Sequence, residues 1–185
     1  FRGNTKTRAK KNIMYHYDLG NDFYKIWLDK TMTYSSALFK KETDNLSKAQ
    51  ENKYQLLIDQ LDIQKHHKIL EIGCGWGGFA EYAAKTIGCE IRGITISPSQ
   101  LKFAKSRIEK QGLADKVSLE LCDYRDLEGK YDRVVSIEMI EAVGEKYWID
   151  YFKKIKEVLT KDGMAGIQVI LINLYPKGVQ LQKHQ

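Results

Sequence analysis

The fold of this chain is decided by the stretch Ile69-Leu70-Glu71-Ile72-Gly73-Cys74-Gly75-Trp76-Gly77-Gly78. A short apolar strand pattern runs directly into a turn with four glycines, and a helical pattern begins at Gly77. Glycine allows a tight turn and lets a ligand approach the backbone closely. The stretch therefore predicts a strand, a turn and a helix, with a ligand site at the turn.

Strand and helix patterns alternate along the chain on the carboxyl side of this unit. Parallel strands need long right-handed crossovers, so this alternation predicts a mostly parallel sheet covered on both faces, which is a doubly wound α/β fold. The predicted strands are 68–72, 90–96, 117–122, 131–137 and 164–172, and the predicted helices are 77–87, 99–111 and 146–159.

The 185 residues are expected to form one domain with two parts. Residues 1–56 are rich in aromatic side chains and are typical of a helical cap with a basic arm, in which Asn45 caps a helix. Residues 57–185 form the α/β core. The composition, 43% hydrophobic and 29% charged, excludes a disordered tail. The longest apolar run, 169–172, is far shorter than the roughly 20 residues of a membrane span.

Positive charge is concentrated at the start of the chain. The formal net charge is +6, and the first twelve residues hold five basic side chains and no acid. Such an arm could bind phosphate on nucleic acid or on an anionic membrane, or it could be a solvated terminus. Three cysteines without metal-ligand spacing fit a reducing cytoplasm and predict no metal site.

An acidic residue distinguishes between two ligands for the glycine turn. Gly73, Gly75 and Gly78 satisfy the dinucleotide spacing, but that fingerprint also needs an acid about 20 residues later, and 93–97 contains none. Glu71 instead lies two residues before the first glycine, where a carboxylate suits a cationic ligand. S-adenosylmethionine, a sulfonium, is the expected cofactor, with NAD and a purely structural turn as alternatives.

Five blocks of sequence lie in order along the chain. They are 12–24 (with His16-Tyr17-Asp18-Leu19-Gly20-Asn21-Asp22), 31–37 (Thr31-Met32-Thr33-Tyr34-Ser35-Ser36-Ala37), 71–79, 93–97 and 136–144 (with Ile140-Glu141-Ala142). Together they resemble the cyclopropane-fatty-acyl-phospholipid synthase family. The resemblance implies a Rossmann-like class I methyltransferase domain beneath a helical cap with a lipid tunnel. It also implies two further strands after residue 172, with which a class I domain normally ends, whereas 173–185 resembles pieces of the family's next segment joined with gaps. Since the chain also starts at Phe1, we expect a fragment or omitted stretches.

The resemblance also implies which residues bind S-adenosylmethionine. For the cap tyrosines Tyr17 and Tyr34, core packing is the alternative role, because aromatic side chains fill interiors. Beside Glu71 beneath the turn, the implied cofactor residues are Gly73 and Gly75 for the methionine part, Thr95, Ile96 and Gln100 for the ribose and adenosine side, Asp123 and Tyr124 for adenine, and Tyr34 and Ser35 from the cap.

The family's reaction forms a carbocation, which a dry aromatic tunnel protects until a base removes a methyl proton and the ring closes. The resemblance implies that this base is a bound bicarbonate and that Tyr17 faces the reacting carbons. Glu141 matches the family's glutamate, whereas Ser36 replaces a cysteine and Gln168 replaces a histidine. Both replacements can still hydrogen-bond an anion, so we predict an altered oxyanion site.

The predicted function is transfer of a methylene group from S-adenosylmethionine to the cis double bond of unsaturated phospholipid acyl chains, which forms cyclopropane fatty acids and S-adenosylhomocysteine. The basic arm then predicts a cytoplasmic enzyme bound peripherally to the inner face of an anionic membrane, with a homodimer left open. Alternatives are a methyl-branch-forming fatty-acyl methyltransferase, an amine N-methyltransferase with Glu141 as base, and a non-catalytic binding protein. A nucleic-acid partner is not expected, because the proline-and-aromatic motifs of base methylases are missing.

Overall fold

Five parallel strands form one sheet at the centre of the protein, whose residues 20–171 are described by a computed structural model. In chain order the strands are β1 (Lys68–Ile72), β2 (Glu90–Thr95), β3 (Val117–Leu121), β4 (Tyr131–Ile137) and β5 (Leu159–Gln168). Their order across the sheet is β3-β2-β1-β4-β5, and every neighbouring pair is parallel. The predicted doubly wound fold is confirmed, and its topological switch point lies between β1 and β4.

Helices cover both faces of the sheet. The helices are α1 (Gly20–Lys25), α2 (Leu46–Gln60), α3 (Gly78–Ile87), α4 (Pro98–Lys110), α5 (Ile140–Val143) and α6 (Trp148–Val158). The core on one face contains residues of α2, α3 and α4, and the core on the other face contains residues of α6. Among the helices of residues 20–171, none combines the length and apolar character that a bilayer span requires.

Capping residues determine where two of these helices begin. The Asn45 side chain accepts a hydrogen bond from the Lys48 amide at 2.9 Å, which confirms the predicted cap of α2. The Ser97 hydroxyl accepts one from the Gln100 amide at 3.4 Å, and Pro98 supplies the first residue of α4. The second cap places the start of α4 directly after β2.

Side-chain alternation along β1 determines which side of the sheet receives its one acidic residue. Ile69 packs in the core beneath α2, α3 and α4, whereas Leu70 and Ile72 pack in the core beneath α6. Successive side chains of a strand point to opposite faces, so Glu71 shares the side of Ile69. The carboxylate therefore lies on the side of the sheet that α2 covers.

The last strand differs from its predicted bounds of 164–172. It begins earlier, at Leu159, which is already extended and pairs with Tyr131, and it ends at Gln168. A register shift follows between Tyr131 and Arg133, after which Arg133 pairs with Met164. The residues 160–163 include Asp162 and Gly163, which are typical of a turn. Their sequence pattern therefore did not indicate that β5 begins at Leu159.

A buried hydroxyl pair fixes α6 to the carboxyl ends of β1 and β4. Tyr151 is fully buried, and its hydroxyl donates to Ser136 Oγ at 2.6 Å. Ser136 Oγ donates in turn to the Ile72 carbonyl at 3.2 Å, one residue before the glycine turn. The packing of α6 is thereby coupled to the edge of the sheet where the candidate site lies.

We expect the variant Tyr151→Phe to lower the free energy of unfolding by about 1 kcal/mol, because it removes a buried hydrogen bond and leaves Ser136 Oγ without its donor. The matched control is Tyr82→Phe, since Tyr82 is half-buried and its hydroxyl donates to Gln55 Oε1 at 3.0 Å beside solvent. Urea unfolding measures both variants. Equal losses of unfolding free energy in the two variants would show that the buried hydroxyl pair stabilises the protein no more than a hydrogen bond beside solvent does.

Candidate active site

The glycine turn after β1 is held against the end of β2. The amides of Gly73 and Cys74 both donate to the Ile94 carbonyl, at 3.0 and 2.9 Å. Gly73 and Gly75 have φ values of +81° and +52°, a region that favours glycine. A Cβ on Gly75 would meet no described atom within 4 Å, whereas one on Gly73 would lie 3.1 Å from Met139 Sδ. The backbone at Gly75 is therefore open to a ligand.

A buried carboxylate lies beneath this turn, as the sequence predicts. Glu71 is 4% exposed, and its Oε2 atom has no hydrogen-bond partner among residues 20–171. Burial raises the pKa of Glu71 from 4.5 to about 8, against the opposing effects of the Ala80 amide and the charge of Lys53. The Oε2 atom is left unpaired, and a cation bound beside it would favour the ionised form of Glu71, so the site fits S-adenosylmethionine, which carries a sulfonium and an ammonium group.

The residues predicted for the ribose side lie at the end of β2. Thr95 and Gln100 are both buried, and Thr95 Oγ1 donates to Gln100 Oε1 at 3.0 Å. The Ser97 amide donates to Thr95 Oγ1 at 3.2 Å, and Ile96 between them is half-buried. These bonds fix the turn between β2 and α4 beside the glycine turn. The predicted contacts of these residues with a nucleoside stay predictions.

The two residues predicted for adenine follow β3. The Asp123 carboxylate accepts hydrogen bonds from Arg125 Nε at 2.7 Å and from Arg125 Nη2 at 2.6 Å. Tyr124 is 6% exposed, and its ring packs edge-to-face on Tyr151 with a centroid separation of 5.1 Å. Both residues lie at the same edge of the sheet as the glycine turn. Their roles toward adenine stay predictions.

The cap brings one predicted tyrosine to the surface. Tyr34 is 53% exposed and packs against the rings of Tyr24 and Trp27, with centroid separations of 5.6 and 5.2 Å. Burial in the core, the alternative role for Tyr34, is therefore wrong. Tyr17 lies outside the described residues. Ser35 is half-buried, and its carbonyl accepts a hydrogen bond from Gln50 Nε2 at 2.8 Å.

A buried lysine that the sequence analysis missed supports this part of the cap. Lys53 Nζ donates to Ser35 Oγ at 2.6 Å and to the Ser36 carbonyl at 3.0 Å. Burial lowers the pKa of Lys53 to about 8, and the charges of Glu138 and Glu71 act in the opposite direction. Its position on α2, four residues before the buried Leu57, was the available signal, because positions i and i+4 share one helix face.

Two residues predicted for the oxyanion site come together around a third that was not predicted. Glu138 Oε1 accepts hydrogen bonds from the Ser36 amide at 2.8 Å, from Ser36 Oγ at 2.5 Å and from Gln168 Nε2 at 2.9 Å. Gln168 Nε2 also donates to Ser36 Oγ at 2.9 Å. Glu138 directly follows β4, and this position at a strand's carboxyl end was the signal for it.

The remaining catalytic candidate lies beside this cluster but does not join it. Glu141 is exposed, and its Oε1 atom accepts a hydrogen bond from the Ile170 amide at 2.6 Å. Ile170 lies two residues past Gln168, so Glu141 holds the segment that leaves β5. Among the described residues, Glu141 forms no hydrogen bond with Ser36 or Gln168.

We expect the free energy of unfolding to fall as pH rises from 4.5 to 8, because Glu71 stays protonated in the native state through this range and ionises in the unfolded state. Lys53 is charged in both states over most of this range, so its lowered pKa contributes mainly above it. Urea unfolding across the range measures the effect.

The variant Glu71→Gln should lose this fall, since an amide does not titrate. The control Glu109→Gln changes an exposed glutamate and should keep the fall of the unmodified protein. If Glu71→Gln and the unmodified protein follow parallel curves, the burial of Glu71 does not couple to its protonation.

Comparison with known proteins identifies the family. The sequence profile of the mycolic acid cyclopropane synthetase family matches residues 4–184. The cyclopropane-fatty-acyl-phospholipid synthase of Escherichia coli K12 is 42% identical over 155 residues, which cover 84% of this chain and 39% of that protein. The tuberculostearic acid methyltransferase of Mycobacterium tuberculosis is 41% identical over 176 residues, which cover 90% of this chain and 40% of that protein.

A solved structure agrees with the sequence relatives. A cyclopropane synthase of Mycobacterium tuberculosis superposes with a TM-score of 0.82 at 30% identity, over 85% of this chain and 55% of that one. The chain spans about two fifths of the length of the curated relatives it matches. The family profile nevertheless covers nearly every residue, and the resemblance inferred from the five blocks is confirmed: the chain belongs to the mycolic acid cyclopropane synthetase family.

Proposed function

We propose that this protein is an S-adenosylmethionine-dependent methyltransferase that forms cyclopropane rings on unsaturated phospholipid acyl chains. The observation that carries the proposal is the position of two carboxylates on adjacent strands. Glu71 lies near the end of β1 beneath the glycine turn, and Glu138 directly follows β4, which pairs with β1. One carboxylate suits a cationic methyl donor, and the other suits uptake of a proton from the reacting group.

The glycine turn and its neighbours would hold the methyl donor. When bound, S-adenosylmethionine supplies an electrophilic methyl group. Glu71 would offset the positive charge of the donor from below, and the open backbone at Gly75 would allow its close approach. Thr95 and Gln100 would bound the ribose side from the end of β2.

An aromatic surface beside the glycine turn supports an apolar substrate. Trp76, within the turn, packs on Tyr24 of α1 with a centroid separation of 5.0 Å. The rings of Phe23 and Trp27 pack on Tyr24, and the ring of Tyr34 packs on Trp27, so they extend this aromatic surface. Each of the three is at least 42% exposed. Aromatic faces exclude water and stabilise a nearby cation by about 2 kcal/mol when desolvated. Such a surface suits an acyl chain that carries positive charge during the reaction.

Positive charge near the start of the sequence supports an anionic membrane as the partner. Five of the first twelve residues are basic and none is acidic, and all twelve lie outside the described residues. Each basic residue near an anionic leaflet contributes about 1 kcal/mol of binding. A protein without a spanning helix in residues 20–171 would reach its acyl substrate by binding peripherally to such a surface.

We expect the protein to add one CH2 to acyl chains when it is incubated with S-adenosylmethionine and vesicles of cis-monounsaturated phosphatidylglycerol. The double bond should disappear, because ring closure consumes it. Mass spectrometry of the acyl chains before and after hydrogenation measures both changes. The variant Glu71→Gln tests the donor site: it should lower affinity for the methyl donor in calorimetry and slow the reaction at subsaturating donor.

Other products would lead to other assignments. A gain of CH2 with the double bond retained would identify a branch-forming fatty-acyl methyltransferase. An unchanged lipid pool together with methylation of small amines would identify an N-methyltransferase. Binding of the methyl donor with no product from either class would identify a non-catalytic protein, and all three results contradict cyclopropanation.

A further inference from the structure

We propose that Glu138 is the proton acceptor of the reaction and takes the place of an external bicarbonate. The inference rests on the proposed function and concerns the same site. Its foundation is the hydrogen-bonding of one carboxylate: Oε1 of Glu138 accepts three hydrogen bonds from Ser36 and Gln168, whereas Oε2 accepts none from residues 20–171. One oxygen holds the group in place, and the other is left to accept a proton.

The donors around Glu138 are fully used. The Ser36 hydroxyl has one proton, which it donates to Glu138 Oε1. The Gln168 amide nitrogen has two protons, which it donates to Ser36 Oγ and to Glu138 Oε1. Ser36, Gln168 and Glu141 are the residues expected to hold bicarbonate, and the side chains of Ser36 and Gln168 retain no donor for it. The carboxylate of Glu138 therefore fills the place of the external anion.

The backbone of Glu138 is strained in a way that serves this arrangement. Its φ is +50°, in the left-handed region, where a Cβ lies too close to the following carbonyl oxygen. Its amide donates to the Gln168 carbonyl at 2.9 Å, so the strained residue is tied to the end of β5. Strain of this kind persists where the surroundings enforce it and is concentrated at functional sites. Here it directs the carboxylate toward Ser36 and Gln168.

Every bond, electron pair and proton is accounted for in the proposed transfer and ring closure. Transfer breaks the bond between sulfur and the methyl carbon, whose electron pair stays on sulfur, while one double-bond carbon bonds to the methyl carbon. The neighbouring carbon becomes positive. Glu138 Oε2 then takes one proton from the transferred methyl group, and the electron pair of that C–H bond closes the ring onto the positive carbon. Glu138 finally releases the proton to water.

The decisive variant is Glu138→Gln, which keeps an oxygen for Ser36 and Gln168 but cannot take up a proton. We expect turnover of monounsaturated phospholipid to fall by at least about 100-fold, the usual contribution of a general base. Affinity for S-adenosylhomocysteine in calorimetry and the melting temperature should stay unchanged. The control Glu145→Gln alters an exposed glutamate nearby and should keep full activity.

A second variant, Glu138→Gly, tests whether the carboxylate occupies an anion site. Glycine suits the positive φ, and removal of the side chain frees the donors of Ser36 and Gln168. We expect 13C-labelled bicarbonate to show saturable binding to this variant by NMR, without lipid or methyl donor, and no binding to the unmodified protein. Added bicarbonate should restore part of the activity of Glu138→Gly and leave the unmodified enzyme unaffected.

The outcomes separate the two proposals. Turnover of Glu138→Gln within twofold of the unmodified enzyme, or a bicarbonate requirement of the unmodified enzyme, overturns the role of Glu138 and leaves cyclopropanation standing. Saturable bicarbonate binding to the unmodified protein also overturns it. An unmodified protein that changes no lipid defeats the proposed function, whereas the NMR comparison still decides whether Glu138 occupies the anion site.

Discussion

The candidate site depends on the hydrogen bonding of β1 to both β2 and β4, because this pairing fixes where the central strand ends. Parallel strands place their carboxyl ends along one edge, so the turn after β1, the end of β2 and the residue after β4 meet there. Tyr151 strengthens the same edge through Ser136. Residues distant in sequence, such as Ser36 and Gln168, can converge there because strand pairing fixes the position of that edge.

Charge at this edge is divided between two carboxylates with different surroundings. Glu71 is buried with one unsatisfied oxygen, which suits attraction of a cation. Glu138 is half-buried and fixed by three hydrogen bonds to one oxygen. Lys53 interacts electrostatically with both and holds Ser35 and Ser36 in place. In the proposed mechanism one carboxylate binds the donor and the other takes up a proton, since burial and hydrogen bonding differ between neighbouring strands.

The sequence predicted the parallel sheet, the turn after β1 and the cap at Asn45, because each depends on local pattern and turn chemistry. It also pointed to Ser36, which lies in one of the five blocks, and to Gln168, which replaces a histidine of the family. It could not identify Glu138 as their partner, because that contact joins segments 102 and 30 residues apart. The buried Lys53 was missed because lysine on a helix normally indicates a solvent-facing position. Tertiary packing determines both the contacts of Glu138 and the burial of Lys53, and a local sequence pattern does not contain that information.

The proposed role of Glu138 requires its carboxylate to face the reacting carbons across from the methyl donor. The most direct test is a crystal structure of the protein with S-adenosylhomocysteine and a cis-monounsaturated phospholipid. We expect the double bond to lie between the sulfur atom and Glu138 Oε2, with Ser36 and Gln168 still hydrogen-bonded to Oε1. An acyl chain bound elsewhere, or an ordered bicarbonate between Ser36 and Gln168 with Glu138 displaced, would contradict it.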